Sequence, residues 1–190
     1  MKLIAPIISC CLLALSAAVH ATSDLASATY SQYVDDKGNM TLPEEFDTQW
    51  TFVGTWVVDH REDTAIGAEG IHNVYTQPDV VKHYQQHGTF PDGAIFIKEL
   101  LEGHTKAMTT GNITFAGKKE GWFMMVKDTK GRFKDNLLWG DGWGWALFNA
   151  DAPDKVVTQN YRMECLGCHI PAQPTDWIYV EGYPLFNTAH

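Results

Sequence analysis

The chain has 190 residues and a formal net charge of −9. With Asp and Glu spread along its length, that balance argues against nucleic acid or an anionic membrane as partner and favours a small substrate or a basic redox protein. Seven Trp, seven Tyr and nine Phe supply large apolar area, suited to an ordinary aromatic core or to the walls around a macrocycle.

Lys2 opens the chain, an apolar run from Leu3 to Val19 follows, and no acidic residue precedes Asp24. This is the pattern of a secretory signal peptide, with cleavage expected after Ala21, where Val19-His20-Ala21 offers acceptable residues to a signal peptidase. The competing membrane anchor is interrupted by Pro6, Ser9, Ser16 and His20 and is already at the lower limit for spanning a bilayer, so no stable membrane insertion is expected. Ile7-Ile8-Ser9-Cys10 loosely resembles a lipoprotein box but precedes most of the apolar run. Residues 1–21 are therefore read as leader and 22–190 as one domain of about 169 residues, enough for a single core.

Ser23 to Asn39 is small and polar and reads as a peripheral helix or arm. Thr41-Leu42-Pro43-Glu44 has capping-box spacing, predicting a helix to about Thr48. Thr51 to Val58 is β-branched and aromatic and reads as a strand, with a second, weaker one from Gly70 to Thr76. Pro78 and Asp79 start a helix through His87, stopped by Gly88, with Val80, Val81 and Tyr84 on one face. Phe90-Pro91-Asp92-Gly93 is a turn leading into the strongest strand, Ala94 to Leu101. A period of two puts Ala94, Phe96, Lys98 and Leu100 on one of its faces and Ile95, Ile97, Glu99 and Leu101 on the other. Asn112 to Ala116 and Trp122 to Asp128 are two further strands separated by a turn at Gly117 to Gly121, and Trp143 to Asn149 is another. The predicted fold is mainly β (α+β), an antiparallel sheet with a few short helices. A four-helix cytochrome bundle competes poorly, because the middle of the chain lacks long heptad-like segments.

Near the C-terminus, Cys165-Leu166-Gly167-Cys168-His169 is a CxxCH motif. In that spacing two thiols can add to the vinyl groups of a haem while the adjacent imidazole ligates its iron. A disulfide, a chance pentapeptide or half a zinc site are the alternatives. A closed zinc site needs four Cys or His ligands, and the remaining Cys10 and Cys11 leave with the leader. One covalently bound haem c is the expected cofactor, with Cys165 and Cys168 as attachment points and His169 as metal ligand. Only 21 residues follow His169 and none is Met, so a sixth ligand would have to come from Met40, Met108, Met124, Met125 or Met163, or from a histidine at 60, 72, 83, 87, 104 or 190. The default is an open or water-occupied distal site, and an open iron binds small molecules.

Several segments in order carry a resemblance: Gly-Ile-His-Asn-Val-Tyr from Gly70, Phe-Pro-Asp-Gly-Ala-Ile-Phe-Ile-Lys-Glu-Leu from Phe90, Val-Lys-Asp from Val126, Trp-Gly-Trp-Ala-Leu-Phe from Trp143, the CxxCH, Thr-Asp-Trp-Ile-Tyr-Val from Thr175 and the terminal Tyr-Pro-Leu. Together they resemble the cytochrome P-460 family over nearly the whole mature chain. The resemblance implies a compact, mainly β, often homodimeric periplasmic protein with one c haem. Family members oxidise hydroxylamine or bind nitric oxide, and the sister group, cytochrome c′-beta, binds gaseous ligands without the oxidation.

The resemblance also implies site residues. Lys98 occupies the position of a lysine cross-linked to the haem in hydroxylamine-active members. The residue pattern agrees that a cation among Ala94, Phe96 and Leu100 must pair, snorkel or lose its proton. Phe123 stands where those members carry a distal carboxylate, and His72 where they carry an arginine. A carboxylate can accept protons from hydroxylamine and phenylalanine cannot, whereas His72 could still serve as a catalytic base, since an unperturbed imidazole titrates near neutrality. Glu120 and Asp128 flank the same strand as replacement carboxylates. Two readings follow: a protein that binds nitric oxide, or an enzyme that oxidises hydroxylamine and passes electrons to a periplasmic acceptor. Simple electron transfer is a third, requiring a stable sixth ligand.

Overall fold

The computed structural model describes residues 32–59 and 69–187. The leader, its cleavage site, most of the polar arm, His60 and His190 lie outside the described residues. Among those described, no helix is long and apolar enough to cross a membrane.

The chain forms one antiparallel sheet. Its elements are α1 (Phe46–Gln49), β1 (Thr51–Val58), β2 (Gly70–Thr76), α2 (Pro78–His87), β3 (Ile95–Met108), β4 (Gly111–Lys127), β5 (Trp139–Gly140), β6 (Trp143–Asn149), β7 (Ala152–Val156), α3 (Tyr161–Glu164) and α4 (Leu166–His169), followed by 3-10 turns at Ile170–Thr175 and Val180–Gly182. The strand order is β1-β2-β3-β4-β6-β5, with β7 also pairing β6. β1, β2, α2 and β6 coincide with their predicted spans. Helix α2 ends as expected, with Gly88 left-handed at φ 68° and its N–H donating to the Tyr84 carbonyl.

Three expectations are corrected. The capping box at Thr41 does not form: the Thr41 N–H donates to the Tyr33 carbonyl, in an arm where Val34 bridges Met40, and α1 begins only at Phe46. The turn before β3 lies one residue later than expected, with Ala94 N–H donating to Pro91 and Gly93 at φ 81° taking the left-handed place. The turn expected at Gly117 to Gly121 is strand. β4 runs unbroken for 17 residues, and irregular pairing around Leu101 absorbs the glycines, so the reversal falls at Thr109-Thr110.

Both sheet faces are covered near the centre. Ile95, Ile97, Trp122, Met124, Val126, Ala146 and Phe148 pack with Val34, Met40 and Phe46 on one side. Val74, Phe96, Met125, Trp143 and Trp145 pack on the other with Val80, Val81 and Phe90, and with Cys165, Trp177, Ile178, Tyr183 and Phe186 of the C-terminal segment. The predicted division of the central strand between faces is observed. Lys98 and Glu99 do not pair: they point to opposite faces, and Glu99 accepts from Lys119 Nζ at 2.6 Å.

Candidate functional site

Register in an antiparallel sheet places directly opposed residues on one face. Val74, Lys98, Phe123 and Leu147 form one such row across β2, β3, β4 and β6. A second row runs Trp56, His72, Leu100 and Gly121. A third runs Thr76, Phe96, Met125 and Trp145. Successive rows are about 7 Å apart along the strands. His72, Lys98 and Phe123, far apart in sequence, are thus neighbours on the face that the C-terminal segment covers.

Lys98 lies on an interior strand rather than an edge, so it cannot reach water past the sheet margin. Its Nζ stands 4.6 Å from the Phe123 ring centroid. Burial lowers its pKa, while the thiols of Cys168 and Cys165 pull it back up. Lys98, Phe123 and Leu147 are only half-buried, whereas the row of Phe96, Met125 and Trp145 beside them is closed. His72 is buried two residues along from Val74. Beside it, the indole N–H of Trp56 is buried with no hydrogen-bond partner among the described residues. The Trp56 ring packs on Tyr179 and Tyr183, and a Cβ on Gly182 would lie 2.0 Å from that nitrogen, so only glycine fits there.

The CxxCH segment is set by local capping. The Asn160 side chain accepts from Arg162 N–H at 3.1 Å, and the Glu164 carboxylate reaches back to the backbone N–H groups of Asn160 and Gln159. Tyr161 fixes this turn to the sheet by stacking on Trp145 at 5.9 Å and donating to Asp141 Oδ2 at 2.9 Å. Cys165 is buried, and burial with nearby Glu164 raises its thiol pKa to about 11. Cys168 is exposed one turn later. The His169 ring meets Trp145 edge to face at 5.0 Å, and its Nδ1 lies 2.8 Å from the Trp177 carbonyl. Burial lowers the His169 pKa to about 4 against the pull of that carbonyl, with Lys98 lowering it further. The ring is therefore neutral at neutral pH, Nδ1 is the donor, and the Nε2 lone pair is left for a metal.

The other ligand candidates are dispersed. Met40 and Met124 pack under the opposite face. Met108 and His104 lie on the exposed end of the β3–β4 hairpin, Met163 is on the surface, and His83 and His87 stand together on α2 with ring centroids 4.4 Å apart. Met125 alone of the described methionines shares the face of Lys98, packed in the core with Phe96 and Trp145. Of the replacement carboxylates, Glu120 is exposed and Asp128 is held by Arg132 at 2.6 Å. The three rows contain no Asp or Glu. Sequence reasoning missed Trp177, Trp145 and Trp56: a backbone carbonyl has no residue signature, and tryptophans read equally as core.

The donor set fits a haem of the c type: a thiol pair one turn apart, an imidazole turned by a backbone carbonyl, an orphaned indole N–H and a half-open row on an otherwise closed face. Comparison with known proteins agrees. No curated protein matches the chain. The family model described as Cytochrome P460 matches residues 43–180, a span that contains every one of these groups and implies a haem cofactor. The chain belongs to the cytochrome P460 family.

Proposed function

We propose that the exported, periplasmic form of this protein carries one haem c, attached through Cys165 and Cys168 and ligated by His169, and that it binds nitric oxide on an open distal face. The haem supplies an iron that takes a small ligand. The residues around it set which ligand is admitted and whether a proton can leave. The observation that carries this reading is the row Lys98–Phe123–Leu147, in which the only ionisable group is a cation whose charge burial disfavours. Such a row excludes charged ligands and accepts neutral diatomics. It holds no carboxylate to take protons from hydroxylamine.

Hydroxylamine oxidation is the second reading, favoured by one specific placement: His72 is buried on the same face, one row from Phe123, where a neutral imidazole can act as base. Lys98 faces the haem in both readings, and its bonding to the ring belongs to the oxidising one.

An optical spectrum of the ferrous protein separates the two, because a ring cross-link displaces the Soret band from that of an ordinary five-coordinate c haem. Rapid nitric oxide binding with slow or absent hydroxylamine turnover is expected. Phe123→Glu should raise turnover by about two to four orders of magnitude if Lys98 is cross-linked, as general-base assistance typically does. Fast turnover by the unaltered protein would instead make His72 the leading substitute base, and His72→Ala should then slow turnover by about two to four orders of magnitude.

A further inference from the structure

Asp176 and Trp177 are consecutive non-glycine residues in the left-handed region, at φ 57° and 68°. Left-handed backbone is tolerated by Asp but disfavoured for a bulky residue such as Trp, and it persists there only where the surroundings enforce it. The residue so held, Trp177, supplies the carbonyl that accepts from His169 Nδ1 at 2.8 Å. Lys127, at the end of β4, is 8% exposed and places Nζ 2.7 Å from Asp176 Oδ1. The same ammonium stands 4.8 Å from the Trp143 ring centroid, and Trp143 Nε1 donates to Asp176 Oδ1 at 3.3 Å. Lys127 is itself immobilised: its N–H donates to Ala94 and its carbonyl accepts from Gly93. The other backbone hydrogen bonds of the turn are local, Asp176 N–H to Gln173 and Trp177 N–H to Ala172, and the Trp177 ring packs edge to face on Trp145. The Asp176 side chain therefore adds a polar tie from this turn to the sheet, beside the apolar packing of Trp177.

We infer that Lys127, through Asp176, is a positioning residue for His169: the ion pair between buried Lys127 and half-buried Asp176 locks the Asp176-Trp177 turn so that the Trp177 carbonyl meets Nδ1. This rests on the haem reading for its consequence. A hydrogen bond at Nδ1 makes imidazole a stronger donor to a metal, as outer partners of metal-bound histidines do. The latch thereby strengthens the bond from His169 to iron and lowers the iron's reduction potential.

The test uses Lys127→Met, Asp176→Asn and the double variant in the haem-loaded protein. Asparagine keeps a left-handed conformation accessible while removing the charge. Haem attachment is scored first by mass. Both single variants should lower the iron–histidine stretching frequency of the ferrous protein and raise its midpoint potential, the double variant should do no more than either, and Lys127→Arg should restore part of the effect. Nitrogen NMR of the His169 ring, in the diamagnetic carbon monoxide complex, should show the Nδ1 proton less strongly hydrogen-bonded. An unchanged stretch and unchanged ring-nitrogen shifts in both single variants overturn the latch, whatever their thermal midpoints. Absence of the haem mass overturns the cofactor reading instead, and the same ring-nitrogen shifts in that unloaded chain still decide the latch.

Discussion

One hairpin, β3–β4, contains two very different regions. From Ile95 to Leu101 and from Gly121 to Lys127 it is the middle of the sheet, flanked by β2 and β6 and nearly fully buried. From Gly103 to Met108 and Gly111 to Ala116 the same two strands continue as a ribbon that pairs with no further strand among the described residues and is mostly exposed. Pairing is regular in both, and the irregularity at Leu101 falls where they join. Among the described residues only the inner half has a core cluster packed on its faces, so tertiary cover rather than strand pairing makes a site there. Two strands alone are marginal in water, and the ribbon stands because its base is anchored.

Truncation should expose the contrast most strongly. Met124→Ala or Ile97→Ala, each removing a fully buried side chain, should cost about 2–5 kcal/mol in denaturant unfolding. Acid comes next. Burial alone would raise the Asp92 pKa, but Arg132, which bonds both Asp92 and Asp128, and the Thr129 N–H bring it down to about 2. The folded value lies below the ordinary 3.8. The stability this clamp gives the inner half is therefore complete above about pH 4 and lost as pH falls towards 2. Arg132→Gln should flatten that acid limb, with at most about 2 kcal/mol at stake.

A smaller effect marks the junction between the regions. Lys119→Met leaves the buried Glu99 carboxylate without its ammonium and should cost about 1 kcal/mol, discounted because Lys119 is partly exposed. Beyond the junction, Thr105→Ala and Phe115→Ser on the ribbon should each stay within about 0.5 kcal/mol. A ribbon substitution as costly as Met124→Ala would mean that this half is covered too.

The same contrast explains what was legible in the sequence. Alternation from Ala94 to Leu101 gave the faces of β3 because both faces are apolar and the Lys–Glu interruption is short. The ribbon was lost because Glu102, Lys106, Lys118 and Lys119 carry no burial signal, and Gly117 and Gly121 imitate a turn. CxxCH was legible because the proposed covalent attachment requires a fixed spacing. The nearness of Lys98 and Phe123 needed the family resemblance or the register of two strands. The hold on His169 was invisible, since it runs through a backbone carbonyl and an ion pair joining residues 49 apart.

The C-terminal segment has a consequence for the order of synthesis. Cys165, Trp177, Ile178, Tyr183 and Phe186 form one wall of the core against Phe96, Met125 and Trp145. A nascent chain halted before Asn160 therefore has every strand of its sheet yet one uncovered apolar face. The residues from Asn160 onward both carry the thiols and seal this face, so the core cannot close before the CxxCH segment has been made.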